Sequence, residues 1–189
     1  MSKRLGPFFL LLIGLCLAGC TAGNVYVPPT LTPVGGAAPA ANGQKVAVIE
    51  TVRGTIYCTL RPDVAPQTVA NFEKLANEGF YDGKVFFRVE PGFVIQGGSP
   101  TNDATGDIGY TVPAEINLTH TAGALATART GDAVNPTRAS SGSQFYITLA
   151  ATPHLDGAYT VFGDCGESID VVLQIQKGDA MKRVRVQEQ

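Results

Sequence analysis

Short segments in which apolar and polar residues alternate make up most of the chain after residue 45. Residues 46–51 and 55–60 predict two strands joined by a turn that contains Gly54. Further strands are predicted around Phe86 and Val94, and over residues 124–128, 144–148, 160–162 and 181–186. Many short strands at close spacing are typical of an all-β barrel or sandwich.

Two segments carry apolar residues at helical rather than alternating spacing. The first begins at Pro66 and ends at Gly79, which suits a proline in the first turn and a glycine after the last. The second covers residues 168–176 and ends before a glycine. The patterning therefore predicts a mainly β domain with two helices, and it does not choose between barrel and sandwich.

The N-terminal region follows neither pattern. Two basic residues precede an apolar stretch over residues 8–17, which is too short to span a bilayer and is typical of a signal peptide. The stretch ends in Leu-Ala-Gly-Cys at residues 17–20, which resembles the lipobox of bacterial lipoproteins. The resemblance implies that residues 1–19 are a signal peptide and that Cys20 carries a diacylglyceryl lipid. The alternative is an ordinary secretory signal that happens to contain this cysteine.

Residues 20–44 are rich in Pro, Gly and Ala and have no apolar periodicity. Such a composition predicts a disordered tether, with the folded domain over residues 45–189. Because two acyl chains anchor a protein stably, a lipidated Cys20 would hold this domain on a membrane surface. We therefore expect an extracytoplasmic, membrane-anchored lipoprotein.

Charge and cysteine content narrow the possibilities further. The 189 residues carry a formal net charge of −2, which argues against a nucleic-acid partner, and we expect a monomer. After removal of the signal peptide and lipidation of Cys20, Cys58 and Cys165 remain. An even pair in an oxidising compartment suggests a disulfide bond, and two buried unpaired thiols are the alternative.

Two runs combine charged or amide side chains with aromatic residues. The first is Phe-Phe-Arg-Val-Glu-Pro-Gly-Phe-Val-Ile-Gln-Gly-Gly at residues 86–98, and the second is Gly-Ser-Gln-Phe-Tyr-Ile at residues 142–147. In this order they resemble the cyclophilin family of peptidyl-prolyl cis-trans isomerases, and the resemblance extends from about Val46 to the C-terminus. It implies a closed eight-stranded antiparallel barrel capped by two α-helices.

The family resemblance also implies an activity, which is rotation about X-Pro peptide bonds in proline-containing unfolded or extended polypeptides. With the signal sequence, it suggests that exported proteins are the substrates. No bond is broken in this reaction, so no metal or cofactor is expected. The site has to bind the twisted amide more tightly than either planar isomer.

The resemblance assigns roles to particular residues. Arg88 is implied to donate to the proline nitrogen, while Gln96 and Gln144 hold the arginine and the substrate backbone. The implied catalytic set is Arg88, Phe93, Gln96, Gln144 and Tyr146, and the implied substrate-binding set is Val94, Ala128, Arg129, His154, Leu155 and Tyr159.

The chain departs from the family pattern at several of these positions. Tyr146 stands where the family usually has Phe, and Val94 stands where it often has Met. Tyr159 replaces a frequent His, and His154 replaces the Trp of cyclosporin-sensitive members. These departures leave a second hypothesis open, a module that binds proline-containing segments with little turnover.

A third hypothesis is a serine hydrolase. It would pair Ser140, Ser141 or Ser143 with His120 or His154. The chain has no Gly-x-Ser-x-Gly nucleophile elbow, which argues against this chemistry.

Overall fold

The computed structural model describes residues 43–189, which contain a curled antiparallel sheet and two helices. The predicted signal peptide, Cys20 and all but the last two residues of the predicted tether lie outside the described residues. Within the described part, no helix is long and apolar enough to cross a membrane.

The described residues form ten strands, two α-helices and two 3-10 turns. The helices are α1 (Pro66–Asn77) and α2 (Ile169–Val172), and the 3-10 turns are Pro153–Leu155 and Gly166–Ser168. The strands are β1 (Lys45–Thr51), β2 (Thr55–Leu60), β3 (Arg88–Glu90), β4 (Val94–Gly97), β5 (Thr111–Val112), β6 (Ala124–Thr127), β7 (Ser140–Ser141), β8 (Phe145–Thr148), β9 (Val161–Asp164) and β10 (Met181–Glu188).

Eight strands form one sheet in the order β10-β1-β2-β9-β6-β8-β4-β3, and each pair is antiparallel. The expected closed barrel is only partly realised, because the ladder is open between the edge strands β3 and β10. A single bridge joins Val85 to Ala180, supported by a hydrogen bond of 3.0 Å from Phe86 N to Asp179 O. Since β3 has three residues and begins after this bridge, the sheet is a curled half-barrel whose edges meet at one point.

The predicted hairpin of β1 and β2 is confirmed. Ile49 lies opposite Ile56, and both side chains are fully buried, as alternation along each strand requires. The turn has Gly54 at a φ of 141°, a conformation that other residues rarely adopt. The remaining strands of the main sheet agree with prediction within two residues, except that Phe86 precedes β3 rather than lying in it.

Helix α1 packs against the sheet through the predicted apolar face. Val69, Phe72 and Leu75 are all buried. The Phe72 ring lies 5.5 Å from the ring of Phe145 on β8 and 5.3 Å from that of Phe162 on β9. These aromatic contacts fix the helix on β9 and on β8, which carries part of the site described below.

The second predicted helix is much shorter than expected. Helix α2 is a single turn, and the 3-10 turn Gly166–Ser168 precedes it. After Val172 the backbone forms i to i+3 bonds, including one of 3.3 Å from Ile175 N to Val172 O, so the turn tightens instead of continuing. This geometry still buries Val172 and Ile175, which explains the helix-like spacing in the sequence.

Two features lie outside the main ladder. Strands β5 and β7 form a two-stranded ribbon that was not predicted, because two residues are too few to show alternation. Cys58 on β2 and Cys165 after β9 form a disulfide bond, and both residues are fully buried. The disulfide ties β2 to the segment that leads into α2.

Candidate active site

A cavity of about 250 Å³ lies beside β3, β4 and β8. Nine of the eleven residues predicted for catalysis or substrate binding line it: Arg88, Phe93, Val94, Gln96, Ala128, Arg129, Tyr146, Leu155 and Tyr159. The other two, Gln144 and His154, contact residues of this set. The fold thus brings together side chains that are up to 71 positions apart in the sequence, from Arg88 to Tyr159.

The register of three neighbouring strands aligns the polar centre of the cavity. Arg88 on β3 lies opposite Gln96 on β4, and Gln96 lies opposite Tyr146 on β8. Residues directly opposite each other in an antiparallel pair project from the same face of the sheet. The guanidinium, the amide and the phenol therefore follow one line across the sheet.

A chain of hydrogen bonds orients the Arg88 guanidinium. Arg88 Nη1 donates to Gln96 Oε1 at 3.3 Å, and Gln96 Nε2 donates to Gln144 Oε1 at 3.0 Å. Gln144 Nε2 in turn donates to the carbonyl of Gly106 at 2.7 Å. Arg88 makes no other side-chain hydrogen bond within residues 43–189, and its further polar neighbour is the exposed Glu90 carboxylate, 3.6 Å from Nε. The N–H groups on the remaining edges of the guanidinium are available to a ligand.

Phe93 presents an apolar ring beside this cation. Its ring centre lies 5.6 Å from the Arg88 Cζ, and the ring stacks on that of His154 at 5.4 Å. His154 itself does not line the cavity. Its position indicates support of Phe93 rather than direct contact with a ligand in this cavity.

One wall of the cavity is formed by the segment after β8, and Arg129 holds this segment in place. Leu155 ends the 3-10 turn, and Tyr159 follows four residues later. The Arg129 Cζ lies 4.6 Å from the centre of the Tyr159 ring, and Arg129 Nε donates to the carbonyl of Ala158 at 2.7 Å. The same guanidinium lowers the pKa of the Asp132 carboxyl, mainly through a hydrogen bond. The segment between β6 and β7 also contacts this wall, because Arg138 Nη1 donates to the carbonyl of Gly157 at 2.6 Å.

A second cavity of about 320 Å³ shares Gln96, Ala128 and Arg129 with the first, and Gln144 lines it. Because they share these three lining residues, the two cavities adjoin and are called the groove. A larger cavity of about 610 Å³ lies against β2 and β9, but none of the predicted site residues lines it. The chemistry of the side chains, and not cavity volume, therefore locates the site.

The sequence analysis missed a buried pair of hydrogen bonds behind the cavity. His120 Nε2 lies 2.9 Å from Tyr146 Oη, and His120 Nδ1 lies 2.8 Å from Asp156 Oδ1. Burial raises the pKa of the Tyr146 phenol above its ordinary value, and the neighbouring phenol of Tyr159 adds to the shift. Hydrogen bonds from His120, first from its ring and then from its backbone, lower the pKa of Asp156.

These contacts bear on the hydrolase hypothesis. Both ring nitrogens of His120 are occupied by partners other than serine. Within residues 43–189, none of Ser140, Ser141 and Ser143 forms a hydrogen bond with His120 or His154. The structure thus contains no serine–histidine pair of the kind that the hydrolase hypothesis requires.

Known proteins share both the sequence and the fold of this domain. Residues 46–189 match the family model described as cyclophilin type peptidyl-prolyl cis-trans isomerase/CLD. The chain is 50% identical over 131 residues to peptidyl-prolyl cis-trans isomerase B of Bacillus subtilis, covering 68% of this chain and 87% of that protein. It is 46% identical over 143 residues to a peptidyl-prolyl cis-trans isomerase of Synechococcus elongatus, covering 74% and 94%.

Solved structures agree with the sequence relatives. The crystal structure of a cyclophilin type isomerase from Cryptosporidium parvum superposes with a TM-score of 0.68 at 27% identity, covering 77% of this chain and 98% of that one. A second structure of that protein, in the presence of the dipeptide Ala-Pro, gives a TM-score of 0.67 at 26% identity and covers 75% and 98%. The chain therefore belongs to the cyclophilin-type family of peptidyl-prolyl cis-trans isomerases.

Proposed function

We propose that this isomerase uses Arg88 to stabilise the twisted X-Pro amide, and that it acts on exported proteins from a lipid anchor at Cys20. The observation that carries the mechanism is the position of the Arg88 guanidinium, which Gln96 orients beside the apolar side chains of the cavity. The Arg129 guanidinium also lines the cavity, but it is bound to Ala158, Thr130 and Asp132. The anchor rests on the sequence of residues 17–20.

The chemistry of the amide explains why a cation is needed there. Resonance makes the peptide bond planar and gives rotation a barrier of about 18–20 kcal/mol. In the twisted state this resonance is lost, and the proline nitrogen regains a lone pair that can accept a hydrogen bond. A donor directed at that nitrogen stabilises the twisted state more than either planar isomer, and this lowers the barrier.

Arg88 is suited to this role because it is held in place before the substrate arrives. The Gln96 amide fixes one end of the guanidinium, and the face of Phe93 lies beside it. The Arg88 side chain is 40% exposed, so a bound peptide has to cover it before water is excluded, the condition in which a donor that needs no reorganisation contributes most. An arginine also carries its charge and its five N–H donors throughout the physiological pH range.

The apolar side chains of the cavity would receive the proline ring. Phe93, Val94 and Leu155 offer hydrocarbon surface, and Tyr146 presents its ring. The related structure that was determined in the presence of Ala-Pro supports a dipeptide of this kind as the ligand. The adjoining part of the groove would then hold the residues next to the proline in an extended conformation.

A mechanism without proton transfer gives a testable kinetic signature. We expect kcat/KM to be constant between about pH 7.5 and 9 and the solvent deuterium isotope effect to be close to unity, since no proton is in flight in the transition state. The raised pKa of Tyr146 keeps its phenol neutral over this range. A steady rise or fall of kcat/KM across the range, or a large isotope effect, would indicate general acid–base catalysis instead.

The N-terminal sequence and the disulfide support the proposed location of the enzyme. Disulfide bonds persist in oxidising compartments, so the Cys58–Cys165 bond supports a site outside the cytoplasm. We expect the full chain to fractionate with membranes and the Cys20→Ala variant to lose most of its membrane association, because both acyl chains are lost together. Mass spectrometry should find the lipid on Cys20 of the wild type. An unmodified, soluble wild-type protein would refute the anchor but leave the isomerase assignment intact.

A further inference from the structure

We propose that His120 is a positioning residue, which holds the Tyr146 floor and the 155–159 wall of the cavity at a fixed separation and so sets its selectivity for the proline ring. The inference rests on the assignment of this cavity to proline. The His120 side chain has an exposed fraction of 0%, so it acts from behind the cavity and does not touch a ligand.

Three contacts join His120 to the segment that carries the wall. Its backbone N–H donates to Asp156 Oδ1 at 2.8 Å, and its ring Nδ1 contacts the same oxygen at 2.8 Å. The backbone N–H of Thr152 donates to the carbonyl of His120 at 2.9 Å. Because Leu155 directly precedes Asp156, this clamp sets the position of the apolar wall.

A fourth contact joins the same residue to the floor. His120 Nε2 lies 2.9 Å from Tyr146 Oη, and the two rings are inclined by only 8°. Tyr146 belongs to β8, which is hydrogen-bonded to β4 on one side and to β6 on the other. The Tyr146 floor is therefore held by strand pairing on both sides, and His120 ties the wall segment to it.

The hydrogen-bond inventory assigns one direction to the Tyr146 hydroxyl when the His120 ring carries a single proton. An ionised Asp156 carboxylate can only accept, so the proton lies on His120 Nδ1. In the neutral ring, Nε2 then accepts from the Tyr146 O–H. The hydroxyl proton points at His120 and away from the cavity, which leaves the aromatic ring of Tyr146 as the surface next to the proline.

This arrangement gives a structural role to Tyr146, which stands where the family usually has phenylalanine. A phenylalanine could supply the same ring, but it could not be tied to the wall. A buried phenol without an acceptor would be destabilising by about 1–3 kcal/mol, so Tyr146 requires a partner such as His120. The hydrogen bonds of His120 to Tyr146 and to Asp156 therefore fix the distance between the floor and the wall, which apolar packing alone would leave adjustable.

The test compares two reporters in full-length protein, Ala-Pro-Phe and its analogue with the six-membered pipecolic acid in place of proline. His120→Leu removes both ring contacts while keeping a buried apolar side chain. We expect it to lower kcat/KM for the proline reporter about 10-fold, mostly through KM, and to narrow the preference for proline over pipecolic acid by a similar factor, as expected for one methylene in an apolar pocket.

Four further variants distinguish a positioning role of His120 from a general loss of stability. Tyr146→Phe should also narrow the preference for proline over pipecolic acid. The double variant Tyr146→Phe, His120→Leu should have the same preference as His120→Leu alone, because the hydroxyl acts only through His120. Asp156→Asn keeps an accepting oxygen and should retain more of the preference than Asp156→Ala. Additive effects of the two single substitutions would overturn the proposal.

Different results would refute the positioning role of His120 and the proposed isomerase function. If the wild type turns over the proline reporter and folded His120→Leu keeps the wild-type preference, the positioning role is wrong and the function stands. If the wild type has no turnover, the function itself is wrong.

A spectroscopic measurement covers the case in which His120→Leu does not fold. The chain has two histidines, so ¹⁵N-histidine labelling gives signals from two rings. We expect His120 of the wild type to be protonated at Nδ1 and unprotonated at Nε2. A proton on Nε2 would contradict the proposed direction of the Tyr146 hydroxyl.

Discussion

Replacing Arg88 with alanine should lower kcat/KM for an Ala-Pro-Phe reporter by about 10²- to 10³-fold, as expected for the loss of a preorganised transition-state donor. This corresponds to roughly 3–4 kcal/mol of lost transition-state stabilisation. The cavity would keep its apolar surface, so peptide binding should weaken much less than turnover. The initial rate of reporter isomerisation at low substrate concentration measures the effect directly.

Two matched variants make this result specific. Arg88→Lys keeps the positive charge but not the planar fork, and we expect it to fall between the wild type and Arg88→Ala. Arg183→Ala removes an exposed arginine of β10 that lines neither cavity of the groove, and should retain full activity. A folded Arg88→Ala variant with near wild-type activity would remove the basis for the proposed mechanism.

Removal of the disulfide should have the largest effect on stability. The bond links residues separated by 107 positions, so it limits the conformational freedom of most of the unfolded domain. For a loop of this length, we expect the Cys58→Ala, Cys165→Ala double variant to unfold with a free energy lower by about 3–5 kcal/mol. The midpoint of a urea or guanidinium titration measures this change.

The control for this prediction is activity at low temperature. Neither cysteine lines the groove, so the folded double variant should isomerise the reporter at close to the wild-type rate. Unfolding midpoints that differ by less than the experimental error would show that the reduced domain is as stable as the oxidised one. That result would also weaken the case for a location outside the cytoplasm.

Periodicity alone predicted most of the sheet, because strands such as β1 and β2 bury one face and expose the other. The spacing of Val69, Phe72 and Leu75 likewise predicted α1, whose buried face packs on the sheet. The short α2 was overestimated, since Ile175 is buried through a tightened turn and not through a continuing helix. The two-residue strands β5 and β7 depend entirely on tertiary contacts, and no local pattern could reveal them.

Periodicity did not predict which residues form the site. Nothing in the spacing of Arg88, Gln96 and Tyr146 indicates that they lie on one line, and the family resemblance supplied that expectation. His120 was considered only as part of a hydrolase, because its partners are 26 and 36 residues away. A signal was nevertheless present: a tyrosine at a usually buried phenylalanine position needs a hydrogen-bond partner.

The most direct test of the central claim is to measure catalysed cis–trans exchange and binding of one Ala-Pro peptide at equilibrium by NMR, with wild type and Arg88→Ala. We predict that exchange on the enzyme falls by about 100-fold or more while the Kd changes by less than about 3-fold, because the guanidinium acts on the twisted state. A variant whose affinity falls as much as its exchange rate would show that Arg88 binds the ground state and would contradict the proposed catalytic role.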